Sequence, residues 1–282
     1  MVQDTNIKWN FSDWWMNHRN ALVMGILNIT PDSFYDGGKY INEENILVRA
    51  KQIIDEGGTI IDIGACSTRP GAKKINIEEE EKRLLPVVKL VRKIFPNTVI
   101  SVDTFRANIA EKVIDVGADM INDISGGTMD DKMFDTIARL NIPYVLMHIQ
   151  GTPQTMQKNP QYNNVVKEVK GYFLTRVKQL YDTGFSKIIL DPGFGFGKTI
   201  EHNYTLLSHL DEFHQPGLPV LAGLSRKSMI TRVLDVIPEQ ALHGTIALNA
   251  IALLKGANML RVHDVKEAVE CINLSRLFRK LS

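Results

Sequence analysis

The feature that most constrains this 282-residue chain is an alternation. Short runs rich in Ile, Val, Leu and Met recur eight times, each followed by a longer segment with helical spacing of apolar residues. The runs are Leu22–Leu27, Thr59–Ile63, Thr98–Val102, Met120–Ile124, Pro143–Met147, Lys187–Leu190, Leu218–Ala222 and Asn258–Val262. They are nearly continuous in apolar residues, as expected of parallel strands covered on both faces. This predicts an α/β chain folded as a single (β/α)8 TIM barrel, a unit of roughly 250 residues. Residues 1–282 are expected to form one domain, with 1–20 an N-terminal extension packed on the barrel and an extra helix between strands 7 and 8. The rival is a doubly wound open sheet with a second small domain. That fold needs a glycine-rich phosphate turn after its first strand, and Leu27-Asn28-Ile29-Thr30-Pro31 offers none.

Helix ends are legible too. Asn42 precedes Glu43 and Glu44, a cap followed by acids suited to the positive end of the helix dipole. Ile46, Leu47, Ala50, Ile53 and Ile54 follow at three- and four-residue spacing, and Gly57-Gly58 stops the helix. The next helix opens on Glu78 to Glu81, read as a solvated start, and closes on Arg92 and Lys93. Others follow Thr104, Asp130, Asn164 and Ile200, two more lie between Ser228 and Gly256, and a final one follows Asp264. Trp9, Trp14 and Trp15 are expected to pack the N-terminal segment over the barrel bottom. The units share no sequence period, which excludes a solenoid.

Several function classes drop out on composition. Thirty-three basic against 32 acidic residues leave a net charge of +1, so nothing draws the chain in bulk to nucleic acid or to an anionic membrane. An anionic ligand must be held by a local cluster. Cys66 and Cys271 form neither a disulfide framework nor a thiolate zinc site. No window reaches the ~18 apolar residues of a membrane span, and the start lacks signal-peptide character. A soluble, cytoplasmic protein is expected.

In a TIM barrel the chemistry sits at the carboxyl ends of the strands. Those ends carry Asn28, Ser67-Thr68-Arg69, Asp103, Asn122-Asp123, His148, Asp191, Ser225-Arg226-Lys227-Ser228, and Arg261 with His263. One such residue is ordinarily a cap or turn former; a polar group at every strand end marks a site. Taken singly, Asp103 could cap a helix, Asp191-Pro192-Gly193 could be an Asx turn, Asn122 could bond strand-end backbone, and His148 could be structural. Asp264 is read as a helix cap and left out of the site. Gly193-Phe-Gly-Phe-Gly-Lys-Thr199 is no P-loop, because the required first glycine is Pro192. Its glycines are instead expected to let backbone pass beneath a flat ligand, with Phe196 along the edge. Loops 28–40 and 65–76 suit lids over an anionic substrate, the alternative being simply long solvated loops. Arg69, Arg261 and His263 would supply positive charge for phosphate.

From Met24 to about Ala268 the chain resembles the dihydropteroate synthase family. The motifs are Met-Gly-Ile-Leu-Asn-Ile-Thr-Pro-Asp-Ser-Phe (24–34), Ser-Thr-Arg-Pro-Gly (67–71), Ser-Val-Asp-Thr (101–104) and Asn-Asp-Ile (122–124). They continue with Met-His (147–148), Asp-Pro-Gly-Phe-Gly-Phe-Gly-Lys (191–198), Ser-Arg-Lys (225–227) and Arg-Val-His (261–263). Cys66 stands where many members carry Glu.

The resemblance implies condensation of 6-hydroxymethyl-7,8-dihydropterin diphosphate with 4-aminobenzoate, by SN1-like departure of diphosphate. It implies Asp103, Lys227, Arg261 and His263 as catalytic residues. The pterin would be bound by Asp103, Asn122, Met147, Asp191, Phe196, Lys227 and Arg261. The diphosphate would meet Asn28, Thr68, Arg69, Arg261 and His263, with Asn28 also holding Mg²⁺. Phe34, Thr68, Pro70 and Ser228 would receive the aminobenzoate, where sulfonamides should compete. The family also implies a homodimer through the late helices. Two rivals remain at this stage: a methyltetrahydrofolate methyltransferase-type pterin barrel, which needs no diphosphate site, and a catalytically inert binding barrel.

Overall fold

The computed structural model describes residues 21–29, 43–65, 75–153, 155–214 and 217–281, together with the backbone of 35–36 and 40–41. Each apolar run becomes a strand lying beside the runs before and after it. The strands are β1 (Leu22–Asn28), β2 (Ile60–Gly64), β3 (Val99–Asp103), β4 (Met120–Asp123), β5 (Tyr144–Met147), β6 (Ile188–Asp191), β7 (Leu221–Ala222) and β8 (Met259–Val262). Neighbours pair in parallel in chain order from β1 to β6, while β8 pairs with both β1 and β7. A parallel bridge between Leu190 and Val220 joins β6 to the approach of β7 and completes the ring.

The strand ends differ from the expected ones for local reasons. Pro143 has no N–H to give the ladder, so β5 starts at Tyr144, and β7 starts at Leu221 because Val220 gives its N–H to the Asn258 side chain at 2.9 Å. At β4 the Asp123 carboxylate accepts N–H bonds from Ser125 and Gly127, at 2.7 and 2.8 Å, and turns the chain before Ile124. A two-residue antiparallel pairing, Tyr35–Asp36 with Tyr40–Ile41, sits inside the segment expected to be plain loop.

The helices are α1 (Glu43–Asp55), α2 (Ile77–Ile94), α3 (Ala107–Asp115), α4 (Met133–Leu140), α5 (Val165–Asp182), α6 (Ile200–Ser208), α7 (Ser228–Leu234), α8 (Leu242–Leu254) and α9 (Val265–Leu281). Both α7 and α8 fall between β7 and β8, which accounts for the extra helix. Asn76, Asn164 and Thr199 cap α2, α5 and α6. Asn42 and the three tryptophans lie outside the described residues. One expectation needs correction and one alternative falls away. Glu80 is not solvated: it is fully buried in α2, accepting from Thr104 Oγ1 at 2.7 Å and pairing with Arg106. Asp103 caps nothing, because the first N–H of α3 is taken by Asp130 Oδ2, 2.8 Å away on the loop after β4.

Side chains on a strand alternate, and the barrel exploits this. One set, including Leu27, Ile61, Ile63, Val102 and Leu190, packs outward under the helices. The other faces inward, and its lowest level is an apolar floor of Met24, Ile60, Val99, Met120, Val145, Ile189, Leu221 and Met259. Among the described residues no helix is long and apolar enough to cross a membrane.

Candidate active site

Two residues beyond the floor on each strand, the same inward face presents Ile26, Asp62, Ser101, Asn122, Met147, Asp191, Gly223 and Arg261. An apolar floor thus carries a polar rung directly above it, and four of the expected site residues sit on that rung. One ionisable member had escaped the sequence reading. Asp62 lies inside β2 rather than at its end and is completely buried. A charged residue within a buried apolar run was the available signal.

Asp62 organises this level. Its Oδ2 accepts Arg261 Nε at 2.7 Å and Asn122 Nδ2 at 3.1 Å. Arg261 Nη2 also donates to Asp103 Oδ2 at 3.1 Å, so the guanidinium spans two carboxylates. Burial pushes the Asp103 carboxyl up to about 7; Arg261 opposes that rise, whereas the Asp62 charge adds to it. Above the rung, Gly64 separates Asn28 from Asp103. A Cβ there would stand 3.5 Å from Asn28 Oδ1 and 3.5 Å from Asp103 Cβ, so the glycine keeps that space open. Among the described residues no three His, Cys, Asp or Glu gather as a metal cage. A cation here would take the Asn28 amide oxygen and draw its remaining ligands from substrate phosphate and water, a pattern that suits Mg²⁺.

The opposite wall carries Asp191 and Lys227. Asp191 is indeed an Asx turn, accepting Gly193 N–H through Oδ1 at 2.7 Å. Burial raises its pKa, while the charge of Lys227 is the largest influence lowering it. Lys227 donates to the Phe194 carbonyl and lies 4.8 Å from the centroid of the Phe196 ring. Burial lowers its ammonium to about 8. Phe196 and Met147 form an apolar patch with Ile124 and Met156.

The glycine-rich loop has a packing role of its own. Gly193, Gly195 and Gly197 have φ of +69°, +79° and +64°, and a Cβ on Gly193 would meet the His148 carbonyl at 1.9 Å. Gly193 and Gly197 thus allow close packing on the strand-end loop at 148–150, whereas the open side of Gly195 faces the Lys227 side chain at 3.3 Å. Lys198, buried at the loop's centre, donates to the carbonyls of Gly193 and Phe196 at 3.0 Å and lies 2.9 Å from His148 Nδ1. Burial, reinforced by the Lys198 charge, depresses His148 to about 2, leaving a neutral acceptor. His148 is tied to this loop through Lys198, and the lysine of the rejected P-loop is the loop's internal brace.

On the last side of the mouth, Ser225 Oγ accepts the His263 backbone N–H at 3.2 Å and lies 3.0 Å from His263 Nδ1. With the hydroxyl proton given to Nδ1, the ring proton stays on Nε2. Burial first, then the charge of Arg261, lowers His263 to about 4, so the ring is neutral at pH 7 in the free protein. Asp264 does more than begin a helix: its carboxylate grips Arg226 at 3.1 and 2.5 Å. Arg226 itself takes a left-handed φ of +57°. Ser228 is exposed as the first residue of α7. Phe34, Cys66, Thr68, Arg69 and Pro70, and most of both expected lids, lie outside the described residues.

The sequence matches the pterin-binding enzyme family over residues 24–263. The chain belongs to the dihydropteroate synthase family of pterin-binding enzymes. It is 45% identical over 254 residues to the dihydropteroate synthase of Escherichia coli K12, covering 89% of each chain. A crystal structure of Yersinia pestis dihydropteroate synthase with a sulfonamide drug complex superposes at a TM-score of 0.86, with 41% identity over 93% of this chain and 95% of that one. The dihydropteroate synthase of Xanthomonas albilineans in complex with 7,8-dihydropteroate gives 0.82, with 35% identity over 93% and 95%. The stretch shared with the pterin-binding enzymes opens at Met24 in the floor and closes at His263 on the rim, so it spans the whole dihydropteroate synthase mouth described here.

Proposed function

We propose that this chain joins 6-hydroxymethyl-7,8-dihydropterin diphosphate to 4-aminobenzoate, releasing diphosphate and 7,8-dihydropteroate for folate synthesis. The observation that carries the reading is the mouth at and just above the polar rung, where Asp191 and Lys227 stand on one wall and the Arg261–Asp103 pair on the other.

Asp191 accepts the pterin 2-amino group and the adjacent ring N–H, and Lys227 donates to the carbonyl edge. Asn122 adds an amide contact, Phe196 and Met147 line the ring, and Arg261 lies against its face. A ligand without the paired donors would strand a buried charge, which gives discrimination. The bond from the exocyclic methylene to the diphosphate oxygen breaks, and the leaving group keeps the electron pair. Asp103 stabilises the positive charge left on the pterin. Arg69, Arg261, His263 and Thr68 hold the departing oxygens, His263 as a neutral Nε2–H donor. The unprotonated amine of 4-aminobenzoate then bonds to the methylene carbon and gives up a proton. No covalent enzyme intermediate is needed.

Asn28 would hold Mg²⁺ against the diphosphate, and that ion, when bound, supplies charge neutralisation. The aminobenzoate carboxylate lies near Ser228, with Phe34, Thr68 and Pro70 closing over it, so sulfonamides compete there. A homodimer through the late helices is supported by exposed Leu254, Leu274, Leu277, Phe278 and Leu281 on α8 and α9. The compartment is the cytoplasm.

Incubation with pterin diphosphate, Mg²⁺ and 4-aminobenzoate, followed by product identification, tests the reading. Dihydropteroate and stoichiometric diphosphate are expected. Methyl transfer from a folate without diphosphate release would replace this function with the methyltransferase one, and pterin binding without turnover would leave an inert barrel.

A further inference from the structure

Buried aspartates in this barrel mostly serve their own loops. Asp123 holds the N–H groups of Ser125 and Gly127, and Asp191 holds that of Gly193. Asp62 is different. It sits mid-strand, caps no turn, and its recorded partners are side chains from two other strands, Arg261 on β8 and Asn122 on β4. Its other oxygen, Oδ1, is buried without a hydrogen bond among the described residues, as is Oγ of its register partner Ser101. A buried ion pair is weak support for stability, because desolvation offsets the attraction. An aspartate in such a place therefore calls for another role.

We propose that Asp62 is a positioning residue for the reaction, a single carboxylate oxygen that sets the Arg261 guanidinium and the Asn122 amide in register with each other. Asp62 takes Nε–H and Asp103 takes one Nη2–H, which fixes the guanidinium plane and leaves both Nη1 protons uncommitted by either carboxylate. The same oxygen orients Asn122, so the group facing the leaving diphosphate and a group facing the pterin share one anchor. The inference rests on the dihydropteroate-forming reading for its consequence, but its geometry does not.

The test has two arms. In ¹⁵N-arginine-labelled wild-type enzyme, the Arg261 Nε–H signal, assigned by its loss in Arg261→Lys, should exchange at least about a hundredfold more slowly than exposed Arg232. Exchange at the rate of Arg232 would overturn the proposal, whatever reaction the enzyme catalyses and whether or not any Asp62 variant folds. In the second arm, Asp62→Asn should lower kcat at least about tenfold with the KM for 4-aminobenzoate nearly unchanged, yet alter kcat less than about threefold in the Arg261→Lys background. An equal loss in both backgrounds would show that Asp62 does not act through Arg261, and would also overturn it. Absence of dihydropteroate formation in the wild type would instead remove the functional reading while leaving the exchange arm standing.

Discussion

Asp103 Oδ2 accepts a 3.1 Å hydrogen bond from Arg261 Nη2, yet burial outweighs that cation and holds the carboxyl near 7. The anionic form is the one that can stabilise a pterin cation, and it is lost as pH falls through that value. Lys227, lowered to about 8 by burial, is lost as a charged donor as pH rises through it. The kcat/KM for pterin diphosphate should therefore peak between about 7 and 8 and fall on both sides. Asp103→Asn should abolish the acid limb and slow turnover by about a hundredfold. A profile flat from pH 6 to 9 would exclude both assignments.

Asp191→Asn should weaken pterin binding by about 2–3 kcal/mol, the range for a broken hydrogen bond to a charged group. Calorimetric titration with a pterin reads this directly. The Asx turn to Gly193 needs only a carbonyl oxygen and should survive, so thermal stability should change little. Near-normal affinity would remove the residue from ring recognition.

His263→Ala should slow diphosphate release by roughly ten- to a hundredfold, as expected for one lost oxyanion donor. Because its pKa lies near 4 in the free enzyme, kcat/KM should show no limb from this residue around pH 6.5. His263→Gln retains a neutral donor and should keep part of the rate. Quenched-flow measurement of diphosphate distinguishes these variants, and an Ala variant with wild-type release would place His263 outside the reaction.

Gly193→Ala and Gly184→Ala both put a side chain at positive φ, +69° and +82°. Only at Gly193 would the new Cβ strike backbone, the His148 carbonyl at 1.9 Å; Gly184 has nothing within 4 Å. Gly184→Ala should cost about 1 kcal/mol, and Gly193→Ala more than about 3 kcal/mol. Denaturant unfolding measures both. Equal costs would show that the packing on His148 is dispensable.

The barrel was legible because buried parallel strands leave uninterrupted apolar runs, and most of the site was legible because its polar residues follow those runs directly. Asp62 was hidden by the same habit of reading, since it interrupts a run from within. Counting two residues up from each floor position would have found it, along with Ser101. The packing of the 193–198 loop on His148 was not legible for another reason: φ and the nearness of His148 are tertiary facts that no spacing encodes. Glu80 likewise sat in an acidic helix start, and its burial depends on Thr104 and Arg106 from a different βα unit.

The clasp between Arg226 and Asp264 ties together the two segments that bear Lys227 and His263. A pterin-edge donor and a leaving-group donor are consequently mounted on one frame. Drift in either segment would drag both ends of the reacting molecule at once, so substitutions at this clasp should surface as coupled defects in recognition and rate, even though neither partner need touch what is being made.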